Sequence, residues 1–155
     1  PNIVPYQVFP TKDGYLIIAV GNNDQFERLC KALELNDLYI SSKYSDNQKR
    51  VQNREELVDI ISSQTKKYSK NDLKILLELS KVPVGTVNTL EEVFSDPHVI
   101  ARNLKINMKH KNAKTSYTES VRTPIIFSDT KLNYSRGVPS LGEHSDEILK
   151  ELDDD

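Results

Sequence analysis

Apolar residues first gather in two short runs, Tyr6 to Phe9 and Tyr15 to Val20, with Pro10-Thr11-Lys12-Asp13-Gly14 between them. Two strand-like runs around a turn containing Asp-Gly predict a β-hairpin. The second run is apolar at consecutive positions, which predicts an inner strand buried on both faces. Phe26, Leu29, Cys30 and Leu33 then recur at helical spacing. Asn22 is suited to cap that helix, and Gln25 stands where the return partner of a capping box belongs. Asp24 in the first turn suits the helix dipole.

The pattern weakens over residues 36 to 52, which read as irregular with a short helix around Asn47 to Val51. Asn53 followed by Glu56 signals a helix start, and Leu57, Ile60 and Ile61 give that helix an apolar face ending near Tyr68. Ser69 with Asp72 caps a further helix with a stripe of Leu73, Leu76 and Leu77. Pro83 and Gly85 oppose helix in Val82 to Asn88, which reads as a connector. Thr89 with Glu92 starts a short helix, and Asp96-Pro97 puts proline at a first helical position. Leu104 to Lys109 alternates as a strand with one wet face, and a polar turn through Asn112 and Lys114 leads to a partner near Tyr117 to Val121. Pro124-Ile125-Ile126-Phe127 is a third apolar piece. Ser128 to Pro139 is loop-like, and Ile148, Leu149 and Leu152 mark a short amphipathic helix. Hairpin, helices, hairpin and tail make an α+β fold: a small antiparallel sheet built from hairpins with several helices, plus a C-terminal return segment.

Composition narrows the function classes. The chain has 155 residues, 37% of them hydrophobic, and a formal net charge of -2 with both signs interspersed. That is enough chain for one domain with a core, and it lacks the clustered basic stripe of nucleic-acid binding. The acidic end, Asp153-Asp154-Asp155, reads as solvated. No apolar run reaches membrane-spanning length, so no membrane partner is expected. A single cysteine, Cys30, forbids an intrachain disulfide and points to a reducing compartment, the cytoplasm or the mitochondrial matrix. No signal or transit segment is visible, and the start at Pro1 reads as a piece of a longer protein, with a processed N-terminus as the alternative.

Candidate chemistry is sparse. There is no Gly-x-Gly-x-x-Gly, phosphate loop or zinc spacing, and His98, His110 and His144 are far apart, so no metal is expected. Cys30 lies on the apolar face of its helix and reads as a buried small hydrophobe. The stretch from Gly21 to Phe26 carries more. A strand ends there and a helix N-terminus begins, offering N–H donors and a positive dipole end. Gly21, Asn22, Asn23 and Gln25 could hold a carboxylate, a phosphate or a developing oxyanion. The same residues could instead form only a tight turn and a cap. Gly85 is similarly open: its loop is a connector, or it lines a cleft.

Taken together, these segments resemble the CaiB/BaiF, or family III, coenzyme A transferases over nearly the whole chain. Pro1 to Phe9 with Thr11-Lys12-Asp13-Gly14-Tyr15 is similar to the opening of the family's small domain. Ala19-Val20-Gly21-Asn22-Asn23-Asp24-Gln25-Phe26 resembles its "AVGN…QF" block, and Asn53 to Leu57 its "NR-x-EL" helix start. Val82 to Thr89 resembles "GVPxGPVNT", Glu92 to Pro97 "EVFxDP", and Leu141 to Ser145 "LGEHT". The first two blocks are closest in wording to succinyl-CoA:glutarate-type transferases. Thr86 and Lys81 depart from the usual proline and glycine, and the turn Lys111 to Lys114 lacks a common glycine.

The resemblance implies transfer of coenzyme A from an acyl-CoA to a carboxylic acid, of the dicarboxylic kind, through an aspartyl anhydride. The aspartate would lie in an upstream domain, with no catalytic counterpart here. Residues 1–128 would form the small domain, and residues 129–155 a linker and C-terminal helix packing on the absent large domain. The substrate-facing residues would be Gly21, Asn22, Asn23, Gln25 and Gly85, forming a wall of the active site. Glu143 and His144 would lie in the return segment. Two chains would interlock as a homodimer. No prosthetic group is implied; the coenzyme A thioester is substrate. Two other readings compete: an α-methylacyl-CoA racemase-like enzyme of the same fold, with Asp24 as acid or base, and a non-catalytic interaction domain.

Overall fold

The computed structural model describes residues 2–111 and 113–153. The expected turn residue Asn112, together with Pro1, Asp154 and Asp155, lies outside them. The chain divides into two compact units, Pro1–Asn88 and Thr89–Asp155, and the α+β expectation holds in both.

In the first unit, β1 (Tyr6–Pro10) and β2 (Tyr15–Ala19) form the expected antiparallel hairpin, with Val8 opposite Ile17. Its turn closes through the Thr11 N–H, which donates to the Gly14 carbonyl at 2.8 Å. Asp13 accepts the backbone N–H of Lys70 at 2.7 Å, tying the turn to a distant helix start. That bond holds the Asp13 carboxyl below its ordinary range.

The connector expected at Val82 to Asn88 is instead largely a strand. β3 (Val84–Val87) pairs antiparallel with β2, giving the order β1-β2-β3. Proline opposes helix, but here Pro83 sits just before the strand, and its carbonyl accepts the Ala19 N–H at 3.0 Å. An edge strand also tolerates Gly85.

After β2 come α1 (Asn23–Ala32), α3 (Asn47–Gln52), α4 (Arg54–Thr65) and α5 (Lys70–Leu79), each with side chains in or against the core. The stretch expected to be irregular before α3 also holds α2 (Asn36–Ile40) and a 3-10 turn at Ser42–Tyr44. Phe9, Leu16 and Ile18 of the sheet share one core with Phe26, Leu29, Leu33, Leu57, Ile61, Leu73 and Leu77. Burying a leucine or phenylalanine side chain is worth about 1.5–3 kcal/mol, so this cluster dominates the unit's stability.

Two expectations need correction. β2 is central but is not buried on both faces, because the helices supply the core on the Leu16 and Ile18 side only. Tyr15 remains 55% exposed and Ile17 39%. Asn53 does not cap α4 with its side chain. α3 and α4 follow each other almost without a break, so its amide donates backward to the Lys49 carbonyl at 2.9 Å. Ser69, by contrast, caps α5 as expected, accepting the Asp72 N–H.

The second unit starts with the expected capping box. Thr89 Oγ1 accepts the Glu92 N–H at 3.3 Å, and Glu92 accepts the Thr89 N–H at 2.7 Å, opening α6 (Leu90–Ser95). Asp96 caps α7 (Pro97–Ala101). β4 (Lys105–Lys109) and β5 (Tyr117–Val121) form the second hairpin with alternating exposure. The apolar piece at Ile125 to Phe127 lies outside any strand and is exposed. Gly137 is pressed on β4: a Cβ there would lie 2.0 Å from the Lys109 carbonyl oxygen, so no side chain fits without a backbone shift. α8 (Ser145–Asp153) completes the unit.

Candidate functional site

The corner after β2 is built from both sides. Val20 is fully buried, and its N–H donates to the Pro5 carbonyl at 2.9 Å. That anchors the strand end and delivers Gly21 to the surface. Asn22 then takes an extended backbone conformation, and its Oδ1 accepts the Gln25 N–H at 2.9 Å. The expected cap therefore forms. Its reciprocal half is displaced by one residue: Gln25 Oε1 accepts the N–H of Gly21 at 2.6 Å rather than that of Asn22. The backbone N–H groups of Asn23 and Asp24 are left without an intrahelical partner, as at any helix start.

Three side-chain amides share one polarity here. The oxygens of Asn22 and Gln25 face backbone N–H groups. Asn23 Oδ1 accepts from Arg50 Nη1 at 3.0 Å. Each of these donors lacks acceptor capacity, so each amide must present its oxygen inward. The NH2 groups remain for outside acceptors. The corner is thus a donor surface at the positive end of a ten-residue helix, suited to a carbonyl, carboxylate or oxyanion.

Arg50 had no signal in the sequence; nothing in the pattern separates it from Lys49. It is 1% exposed. Its Nε donates to the Val4 carbonyl at 2.9 Å and its Nη1 to the Tyr44 carbonyl at 3.1 Å. Its guanidinium lies 4.6 Å from the Phe26 ring centroid. Burial lowers its pKa from the ordinary arginine value, but arginine stays charged. Beside it, Asn23, Phe26, Tyr39, Ile40, Tyr44 and Ser45 line a cavity of about 400 Å³.

Gly21, Asn22, Asn23 and Gln25 therefore come together. Gly85 stands apart in β3, opposite Ile17. That is four residues before Gly21 along β2, about 13 Å at strand rise. A Cβ at Gly85 would meet nothing within 4 Å, so its space is open to the outside.

The other candidates settle plainly. Asp24 sits in the first turn of α1, as the dipole favours. Cys30 is buried, and desolvation pushes its thiol up to about 12, which is wrong for a nucleophile. Among the described residues no cluster of histidine, cysteine and carboxylate side chains could hold a metal ion. Among the described residues no helix is long and apolar enough to cross a membrane. In the second unit, Lys111, Arg136, Glu143 and His144 help line a cavity of about 440 Å³. Lys111 pairs with Glu143 within the wall at 2.7 Å, and Arg136 pairs with Glu147 of α8. Lys111 and the Ser140 N–H hold the Glu143 carboxyl down to about 2. The donor surface at Gly21 is the better substrate-facing candidate.

The sequence model described as CoA-transferase family III matches residues 1–145. The chain belongs to that family. Succinate–glutarate CoA-transferase of Agrobacterium fabrum is 44% identical over 99% of this family III chain, which covers 38% of that protein. Human succinyl-CoA:glutarate CoA-transferase is 41% identical over 97% of the chain, which covers 34% of it. A solved CaiB/BaiF family protein of Brucella suis superposes with a TM-score of 0.79 at 38% identity, covering 98% of this chain and 38% of that one. The family III chain thus spans between a third and two fifths of the length of these relatives.

Proposed function

We propose that the whole protein moves coenzyme A from an acyl-CoA to a dicarboxylic acid, and that this chain supplies a wall of the active site rather than the nucleophile. One observation carries the reading: the donor surface of Asn22, Asn23 and Gln25 lies in the block that links the chain to its family. Succinyl-CoA:glutarate transferases among the relatives support the substrate class. The proposed reaction begins with an aspartate, outside this chain, attacking the thioester carbonyl. A mixed anhydride forms and coenzyme A leaves as its thiolate. The thiolate then attacks the aspartyl carbonyl, giving an enzyme thioester and releasing the donor acid. The acceptor carboxylate attacks that thioester, expelling the thiolate and forming a second mixed anhydride; the thiolate then attacks the acceptor acyl carbonyl, giving the new acyl-CoA and restoring the aspartate.

In this scheme Gly21 admits the thioester close to the backbone, and the amide NH2 groups of Asn22 and Gln25 meet developing negative oxygen. Gly85 lines the same side at greater distance. Residues 129–155 pack on the upstream domain, Glu143 and His144 among them, and two chains interlock as a homodimer. No prosthetic group takes part. The compartment is reducing, cytoplasm or mitochondrial matrix, in keeping with the lone buried Cys30.

The test is mass spectrometry of the whole protein mixed with succinyl-CoA and glutarate. The expected result is glutaryl-CoA together with hydroxylamine-sensitive acylation of one upstream aspartate. Hydrogen exchange at the α-carbon of the acyl group, without coenzyme A transfer, would favour the racemase reading.

A further inference from the structure

Arg50 is a buried cation that satisfies carbonyl oxygens, and among the described residues no carboxylate bonds to it. One donor of its fork, Nη1, reaches both Tyr44 O at 3.1 Å and Asn23 Oδ1 at 3.0 Å. Val4 O holds Nε, and the Phe26 ring lies against the guanidinium plane. Fixed from three sides, Arg50 has little freedom to follow Asn23; Asn23 must follow Arg50. The exposed amide of Asn23 therefore keeps its oxygen inward and its NH2 outward, beside the 400 Å³ cavity lined by Tyr39, Ile40 and Tyr44. A buried charge in a low-dielectric wall also acts at longer range than a solvated one. Asn23 carries that positive potential to the surface as a hydrogen-bond donor.

We propose that Asn23, oriented by Arg50, selects substrates that carry a second, non-reacting carboxylate, making Arg50 a positioning residue for dicarboxylate specificity. This rests on the transferase reading above. A carboxylate matches the site because it only accepts hydrogen bonds, and the corner's amides, their oxygens turned inward, present NH2 donors outward. The apolar wall of Tyr39 and Ile40 suits the short methylene chain between the two carboxyl groups. A neutral asparagine with its flip fixed recognises the carboxylate without forming an ion pair that would slow product release.

The experiment is steady-state kinetics on the full-length protein with succinyl-CoA, using glutarate or a monocarboxylic acid of similar length as acceptor. Four proteins are compared: wild type, Asn23→Ala, Asn23→Asp and Arg50→Lys. Asn23→Asp keeps an acceptor for Arg50 and adds a favourable charge at the helix start, so its thermal midpoint should equal or exceed that of wild type. Asn23→Ala removes the donor without adding charge. Both should raise KM for glutarate tenfold or more, with kcat changed less. Asn23→Ala should raise KM for glutarate by at least a fivefold larger factor than KM for the monocarboxylic acid. Arg50→Lys keeps the cation but not the fork, and should shift KM for glutarate in the same direction, with a less than multiplicative effect when combined with Asn23→Ala. An active wild type whose Asn23→Ala variant keeps its KM for glutarate within twofold overturns the inference alone. A folded wild type that transfers coenzyme A between no acyl-CoA and acid overturns the transferase reading and this inference with it.

Discussion

Gln25 Oε1 accepts the backbone N–H of Gly21 at 2.6 Å, closing the turn between β2 and α1 one residue earlier than a standard capping box would. The bond spans the corner without using Asn22, whose own N–H stays outside the box. Gln25→Ala should cost about 1 kcal/mol, the usual worth of a cap or a single hydrogen bond. Gln25→Glu keeps the acceptor, adds charge at the helix start and should be neutral or stabilising. Urea unfolding of the two variants checks both signs. An alanine variant as stable as wild type would show that the bond contributes nothing.

Cys30 provides a probe of the first unit's core. Its thiol is buried in the core cluster and pushed up to about 12, chiefly by desolvation. The reactive thiolate is therefore scarce at pH 8. A disulfide reagent should label the native chain at least about a hundredfold more slowly than the urea-unfolded chain, since access requires opening. Rapid labelling without denaturant would contradict the packing of α1 on the sheet.

Glu143 should titrate far below an ordinary glutamate. Lys111 and the Ser140 N–H favour its charged form and hold it to about 2, against an ordinary 4.5. A lowered folded-state pKa stabilises the fold above the unfolded value. That contribution is complete above about pH 4.5 and disappears as pH falls to about 2. A carboxyl-carbon NMR titration should show the low midpoint, and Lys111→Met should raise it. A midpoint near 4.5 in wild type would rule out the Lys111 pairing in solution.

Much of the fold was legible because its signals are local. Asp13-Gly14, Ser69 with Asp72, Thr89 with Glu92 and Asp96-Pro97 each set a boundary within one turn of chain, and each boundary stands. The failures are non-local. Val84 to Val87 became a strand through β2, sixty-six residues upstream from Val84 at Ile18, and no short-range pattern records such pairing. The apolar run of β2 reads as burial on both sides, yet its exposed half depends on which helices reach it. Asn53 has a capping residue's chemistry, but the preceding helix takes its amide. At the corner, Asn22 and Gln25 were readable from spacing. Arg50 was not: it meets Asn23 across twenty-seven residues, through a fold that must exist before the contact does.

The central claim is that Gly21 serves substrate approach rather than the turn alone. Gly21 is exposed, its backbone lies outside the left-handed region, and an added Cβ would come no closer than 3.4 Å to Gln25 Oε1. The turn can therefore accept a side chain. In the full-length protein, Gly21→Val should lose less than about 1 kcal/mol of stability while coenzyme A transfer falls by about tenfold or more, as small displacements at a reacting centre do. Thermal unfolding and turnover measured on the same preparation decide it. A variant that keeps wild-type turnover, or that loses activity only in step with stability, would contradict the account and leave Gly21 as part of a capped helix start.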